Sequence, residues 1–320
     1  MFKRILASAV VLALTALPVQ AKKVTLASSA PNNGINKVFI DKFTAEMKSR
    51  APELDLEVFL DSQLGAEREL IDLVRMGETS IHMGVIHSSQ YYPELDATLV
   101  PYLFQSYDAV KKFLAGPIGK KMDEALLQKG NAVRLGYYYQ GARWTSTKSK
   151  SFETVDQLKG VKIRMPKIPL WIDIWSGLGA TIAPMPSKEV FSAMQAGVID
   201  AQENMLSNIW GRRLYEVSDY LIATKHQQSY ITVMANQKFW SKLSDAERTA
   251  IQGAVDTATQ AADDAASALN DKIVKDITAK GVKLVEPKPA FREAALPVVE
   301  KAARETLAPG VWDEAVKASN

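Results

Sequence analysis

The sequence predicts an α/β fold of two lobes. Short apolar strands alternate with amphipathic helices almost throughout the 320 residues, which is the α/β signature. One helical pattern, opening at the Ser244-Asp245-Ala246-Glu247 capping box, runs to the neighbourhood of Gly281. About 36 residues at ~1.5 Å each give roughly 54 Å. That exceeds the width of one small domain, so this helix is expected to brace two lobes. No Pro/Gly/Ser-rich linker separates the lobes, so the chain is expected to cross between them more than once.

The elements follow in order. Residues 24–28 read as a strand, and residues 35–50 as a helix with Val38, Phe39, Phe43 and Met47 at helical spacing. Residues 56–60 form a second strand. Residues 66–76 form a helix carrying Leu70, Ile71 and Val74, and Gly77 is placed to end it. Residues 81–86 give a third strand, and this β-α-β-α-β unit with tight crossovers predicts a parallel sheet. Further on, residues 133–139 and 144–147 read as two strands, and 161–165 as a strand closed by Pro166. Residues 171–178 are helical up to Gly179, a strand starts at Thr181, and residues 188–195 are helical. Residues 197–200 read as a strand running into Gln202-Glu203-Asn204. Residues 230–235 give the last strand. The long helix then presents Ile251, Val255, Ala258, Ala262, Leu269, Ile273 and Ile277 on one face. Residues 22–140 with 230–269 are assigned to the first lobe, and 141–229 with 270–320 to the second.

Composition excludes several chemistries. There is no cysteine, which rules out disulfides, thiolate metal sites and thiol catalysis. The three histidines, His82, His87 and His226, show no metal-ligand spacing. Lys+Arg 39 against Asp+Glu 36, with no long basic run, argues against nucleic acid as a partner. No cofactor is expected. P-loop, dinucleotide and nucleophile-elbow motifs are absent from the sequence.

The N-terminus reads as a secretory signal peptide. Lys3-Arg4 precede the apolar run 5–17, and Val19 and Ala21 put small residues at −3 and −1 of a cut after Ala21. Cleavage would remove Lys3 and Arg4, so the net charge of +3 becomes +1. No later segment is apolar enough to span a bilayer. The expectation is a soluble, exported protein of a bacterial periplasm.

Arg164 stands out within this frame. It ends a short apolar strand, where α/β folds open their ligand crevices. A guanidinium there meets either a ligand anion or a structural salt-bridge partner, and spacing leaves both open. Arg143, between Gly141 and the strand at Trp144, has a similar setting. Asn204 either serves a ligand or caps the helix carrying Ile209 and Trp210, and pattern alone favours capping. Among the aromatics near predicted crevice segments, Trp171 and Trp210 are the preferred pocket candidates. His87 is read as a residue without a ligand role.

Several stretches together resemble a known family. They are residues 63–69, Pro101-Tyr102-Leu103-Phe104, Leu158-Lys159-Gly160-Val161-Lys162-Ile163-Arg164-Met165-Pro166, residues 184–191, residues 194–200 and Gln202-Glu203-Asn204. In this order they are similar to the DctP-type solute receptors of tripartite ATP-independent periplasmic (TRAP) transporters. The resemblance covers essentially the whole mature chain. It implies a two-lobe periplasmic binding protein fold that closes on a small organic acid, without enzymatic activity, as a monomer that delivers its ligand to membrane permease subunits. It implies that Arg164 clamps the ligand carboxylate, that Arg143 is a second cationic contact and that Asn204 bonds the ligand nearby. Glu67 and His226 are implied as polar contacts at the pocket wall. Two departures bear on that corner: Lys167 stands where relatives often carry Asn or Ser, and Met205 where Pro usually follows Gln-Glu-Asn. If Lys167 faces the cleft it adds a cation beside the clamp. Sugar acids, 2-oxo or 2-hydroxy acids, C4-dicarboxylates and aromatic acids all fit one arginine. The alternatives are a receptor of an ATP-driven uptake system or of a sensor, and, from another class, a secreted α/β hydrolase.

Overall fold

The computed structural model describes residues 22–85 and 87–319. The expected signal peptide and its cut after Ala21 lie outside them. The first unit is the expected one. Strand β1 (Lys22–Ser28) leads through α1 (Gly34–Arg50) to β2 (Leu54–Phe59), then through α2 (Glu67–Met76) to β3 (Ile81–Gly84). β1 lies between β2 and β3 and pairs with both in parallel. Gly77 ends α2 in the left-handed region, at φ 83°.

Residues 87–130, to which sequence patterning assigned no element, form three helices: α3 (His87–Tyr91), α4 (Tyr107–Ala115) and α5 (Pro117–Gly130). They lead into β4 (Ala132–Thr147), a single 16-residue strand. This corrects the reading of two strands. Shifts of register, between Arg134 and Gly136 and between Tyr139 and Gly141, bend the strand without ending it. Gly141 has φ 97°, and a Cβ there would lie 2.2 Å from Asn270. The glycine marks a bulge seated against the long helix, not a break.

The second unit runs β5 (Lys162–Met165), α6 (Pro169–Gly177), β6 (Thr181–Pro184), α7 (Val190–Gln195), β7 (Ala201–Met205), α8 (Leu206–Gly211) and β8 (Tyr220–Ile222). The expected strand at 197–200 is displaced. Gly197, at φ 71°, makes a turn, and the strand is the polar segment itself, all five residues buried. Gln202 and Glu203 can be buried because Ser146 and Arg143 on β4 meet their side chains.

β9 (Gln228–Asn236), α9 (Gln237–Ser241), α10 (Asp245–Ala279), β10 (Lys283–Val285), α11 (Ala290–Thr306) and α12 (Val311–Ser319) complete the chain. The main sheet order is β2-β1-β3-β9-β4-β7-β5-β6. β4 is common to both ends: residues from Ala132 to Ala142 pair with β9, and Arg143 to Thr147 pair with β7. Helix α10 behaves as its capping box and apolar stripe predict. Ile251, Val255, Ala258 and Ala262 enter the core under β1 and β3, whereas Ile273 and Ile277 enter a separate core with Val190, Leu206 and Leu221. One 35-residue helix thus spans two cores.

Candidate functional site

A cleft of about 360 Å³ opens where the two ends of the sheet face each other. That is the size range of small-molecule sites. One wall comes from the β1–α1 loop, the start of α2 and the end of β3. The other comes from β5, the loop after β6, the end of β7 and α8.

Arg164 is the third residue of β5 and lines this cleft with 3% of its surface exposed. Its Nε and Nη2 donate to the Met185 carbonyl at 2.8 and 2.6 Å. Among the described residues it has no ion-pair partner, so the salt-bridge alternative does not hold. Burial pushes its pKa down to about 10, with Glu203 acting against that shift and Arg143 adding to it. The group therefore stays cationic at neutral pH, buried and with the Met185 carbonyl as its hydrogen-bond acceptor.

Arg143 also lines the cleft, but its charge is matched. Glu203 accepts from Arg143 Nε at 2.5 Å and from Nη2 at 2.9 Å, a buried bidentate pair. The guanidinium also lies 4.8 Å from the Trp171 ring centroid. Behind it, Glu203 meets His226 Nε2 at 3.1 Å, and His226 Nδ1 meets the Thr224 hydroxyl at 2.9 Å. Burial alone would raise Glu203, yet Arg143 and His226 hold its carboxyl well below the usual range. Burial lowers His226 despite the carboxylate beside it. The imidazole is then neutral at pH 7, with Nε2–H donating to Glu203 and Nδ1 accepting from Thr224. His226 thus stands behind the Arg143–Glu203 pair and is not part of the cleft lining.

Asn204 is in β7, buried and on the cleft wall. Its Oδ1 accepts from Met205 N at 3.1 Å and Asn208 Nδ2 at 3.0 Å. The cap position of α8 belongs to Met205, so the capping reading fails. Glu67, first residue of α2, lines the opposite wall. Its carboxylate accepts from Val85 N at 2.9 Å and from the Ser29 hydroxyl, and lies 3.5 Å from His82 Nε2. Burial raises its pKa, but the adjacent His82 ring and the hydrogen bonds from Ser29 and Val85 bring it below the ordinary value. Trp171 lines the cleft and donates its indole N–H to the Leu99 carbonyl at 2.6 Å. Trp210 does not line it: its ring stacks on Tyr215 at 4.8 Å.

Lys167 is exposed at the cleft mouth. An exposed cation acts through screened attraction, worth about 0–1 kcal/mol. Lys167→Asn is therefore expected to weaken an anionic ligand by no more than about fivefold, and less at high salt. Titration calorimetry at two salt concentrations checks this, and a loss above about tenfold that ignores salt would place the ammonium directly on the ligand.

Sequence reasoning missed Arg212, just past α8, and Asn208 within it, both on the cleft wall. Arg212 Nη2 donates to the Ser29 carbonyl at 2.6 Å, and Nη1 lies 3.3 Å from Asp61. One local signal existed. A Cβ on the preceding Gly211 would sit 1.7 Å from Asn33 Nδ2, so glycine lets α8 meet the β1–α1 loop closely.

Among the described residues, no group of His, Asp and Glu is disposed to hold a metal ion, and no helix is long and apolar enough to cross a membrane. Residues 26–307 match the family described as bacterial extracellular solute-binding protein, family 7. A solute-binding protein of Roseobacter denitrificans is 30% identical over 217 residues, 68% of this chain and 66% of its own length. The crystal structure of a TRAP periplasmic solute-binding protein from that organism, with bound L-galactonate, has a TM-score of 0.86 at 26% identity, covering 94% of this chain and 99% of the other. The sugar acid-binding protein of Advenella mimigardefordensis, in complex with galactonate, gives the same TM-score and identity over 94% and 100%. The sialic acid-binding periplasmic protein SiaP of Vibrio cholerae is 27% identical over 251 residues, 78% of each chain. The fold is thus the two-lobe fold of these receptors, and the chain belongs to the bacterial extracellular solute-binding proteins of family 7, the DctP-type periplasmic receptors of TRAP transport.

Proposed function

We propose that this protein captures a small organic acid in the cleft, clamps its carboxylate with Arg164 and delivers it to TRAP membrane permease subunits, without transforming it. The observation that carries the reading is Arg164 itself. A cation so buried, facing a ligand-sized cleft with a carbonyl as its hydrogen-bond acceptor and no ion-pair partner among the described residues, is energetically incomplete until an anion arrives. Arg143, already paired with Glu203, offers the carboxylate a polar edge and a stacked Trp171 in place of a second free charge. Galactonate and sialic acid, named with the relatives, support a sugar acid as the ligand.

Residues 22–140 with 230–269 and residues 141–229 with 270–320 act as the two lobes, and ligand contacts from both bias the closed state. The protein works as a periplasmic monomer after cleavage behind Ala21. Thermal shift against sugar acids, hydroxy acids and dicarboxylates tests this reading. At 100 Kd a true ligand adds about 2.7 kcal/mol of stability. It should be recovered chemically unchanged, and the saturated protein should have a smaller radius of gyration. No stabilisation by any acid, or recovery of a product, would overturn the proposal.

A further inference from the structure

Arg212 is a third arginine on the cleft wall beside the more deeply buried Arg143 and Arg164, and its surroundings differ from those of Arg164. It projects from the end of α8 to the opposite wall, where it meets the Ser29 carbonyl and Asp61. Its side chain is 12% exposed, and its Nε–H is buried with no acceptor. Burial lowers its pKa, opposed by the nearby carboxylates of Asp61 and Glu67. Its charge is thus already met from two sides. Asn208, on the same helix, keeps a buried Oδ1 with no donor. This end of the cleft offers an arginine donor, a carboxylate acceptor and an amide acceptor around a charge-balanced centre. A second carboxylate would be repelled by Glu67 and Asp61, and an alkyl chain would leave the polar atoms unmatched. A hydroxyl both donates and accepts, and satisfies them.

We infer that Arg212 is a specificity-determining residue that reads the neutral, hydroxylated tail of the ligand, with Glu67 and Asn208 as its acceptor partners, while Arg164 holds the acidic head. The inference rests on the carboxylate reading of the cleft. The test is calorimetry with galactonate and with 2-hydroxyhexanoate, which keeps the acid head and chain length but lacks the other hydroxyls. Wild-type protein should prefer galactonate, and Arg212→Met should reduce that preference by about tenfold or more, the scale of a charged hydrogen bond. Arg212→Lys, which keeps the charge and most of the packing, should also lose preference because the planar fork is gone. An equal loss for both acids in the Arg212 variants would make Arg212 a contact that merely joins the walls and would overturn the inference, as would unchanged affinities. Failure of the wild-type protein to bind either acid, or any acid of the wider panel, would instead bring down the carboxylate reading and this inference with it.

Discussion

Arg164→Ala is expected to abolish high-affinity binding while leaving the ligand-free protein as stable as before, or more so. The two effects come from the same physics. With ligand present, the variant strands a buried carboxylate, which costs about 2–5 kcal/mol, or roughly 30- to 5,000-fold in Kd. Without ligand, the variant removes a desolvated cation whose hydrogen bonds all go to the Met185 carbonyl and which has no ion-pair partner among the described residues, and such a charge opposes folding. Arg164→Lys should also bind weakly, since a point charge cannot reproduce the bidentate fork. Calorimetry and thermal unfolding of the apo variants read the two effects separately. A loss under about threefold, or a marked drop in apo stability, would reassign Arg164 to the scaffold.

Glu203→Gln should act in the opposite sense. It strands Arg143, whose guanidinium is buried against Trp171 and has Glu203 as its ion-pair partner. Breaking a buried pair from one side costs about 3–5 kcal/mol. The pH dependence of this pair follows from two depressed groups, Glu203 and the His226 behind it. Glu203 titrates lower in the folded protein than its ordinary 4.5. Its stabilisation is full above pH 4.5 and is lost as the pH falls through the folded value. His226 is held below its ordinary 6.5. It contributes stability that is present above pH 6.5 and is lost as acid forces the buried ring to charge. The wild-type protein should therefore weaken in two stages on acidification, and the variant should show a smaller stage below pH 4.5, with what remains coming from carboxylates such as Glu67 that are also held low. Denaturant unfolding across this range checks the pattern, and a variant within about 1 kcal/mol of wild type at pH 7 would contradict it.

Much of this architecture was legible in the sequence because apolar periodicity records which face is buried. The first β-α-β-α-β unit and the long helix are cases in which local pattern and tertiary packing agree. β4 was misread because a glycine looks the same in sequence whether it ends a strand or bulges it, and only Asn270, 129 positions away along the chain from Gly141, distinguishes the two. The β7 strand was displaced because its buried face is polar and its partners lie on another strand. Arg164 and Glu67 were found through motif and position, and they do line the cleft. Trp210 was placed in it as an aromatic near a crevice segment and His226 through the family resemblance, and neither says where a side chain points. Arg212 escaped because its partners, Ser29 and Asp61, are remote in sequence.

The shared strands also set how the molecule must assemble. β3 pairs with β9 across 154 residues, from Ile81 to Ala235, and β9 closes on β4 with Ala132 against Asn236. Neither end of the sheet is complete from a contiguous stretch of chain. During synthesis β3 presents an unpaired edge until residues 228–236 arrive, and such an edge is a template for association between chains. High contact order makes the final closure slow. The last strand of the main sheet in chain order is thus the one that joins its two halves, so a chain cut before Gln228 would retain helices and an exposed sheet edge but not the joined sheet.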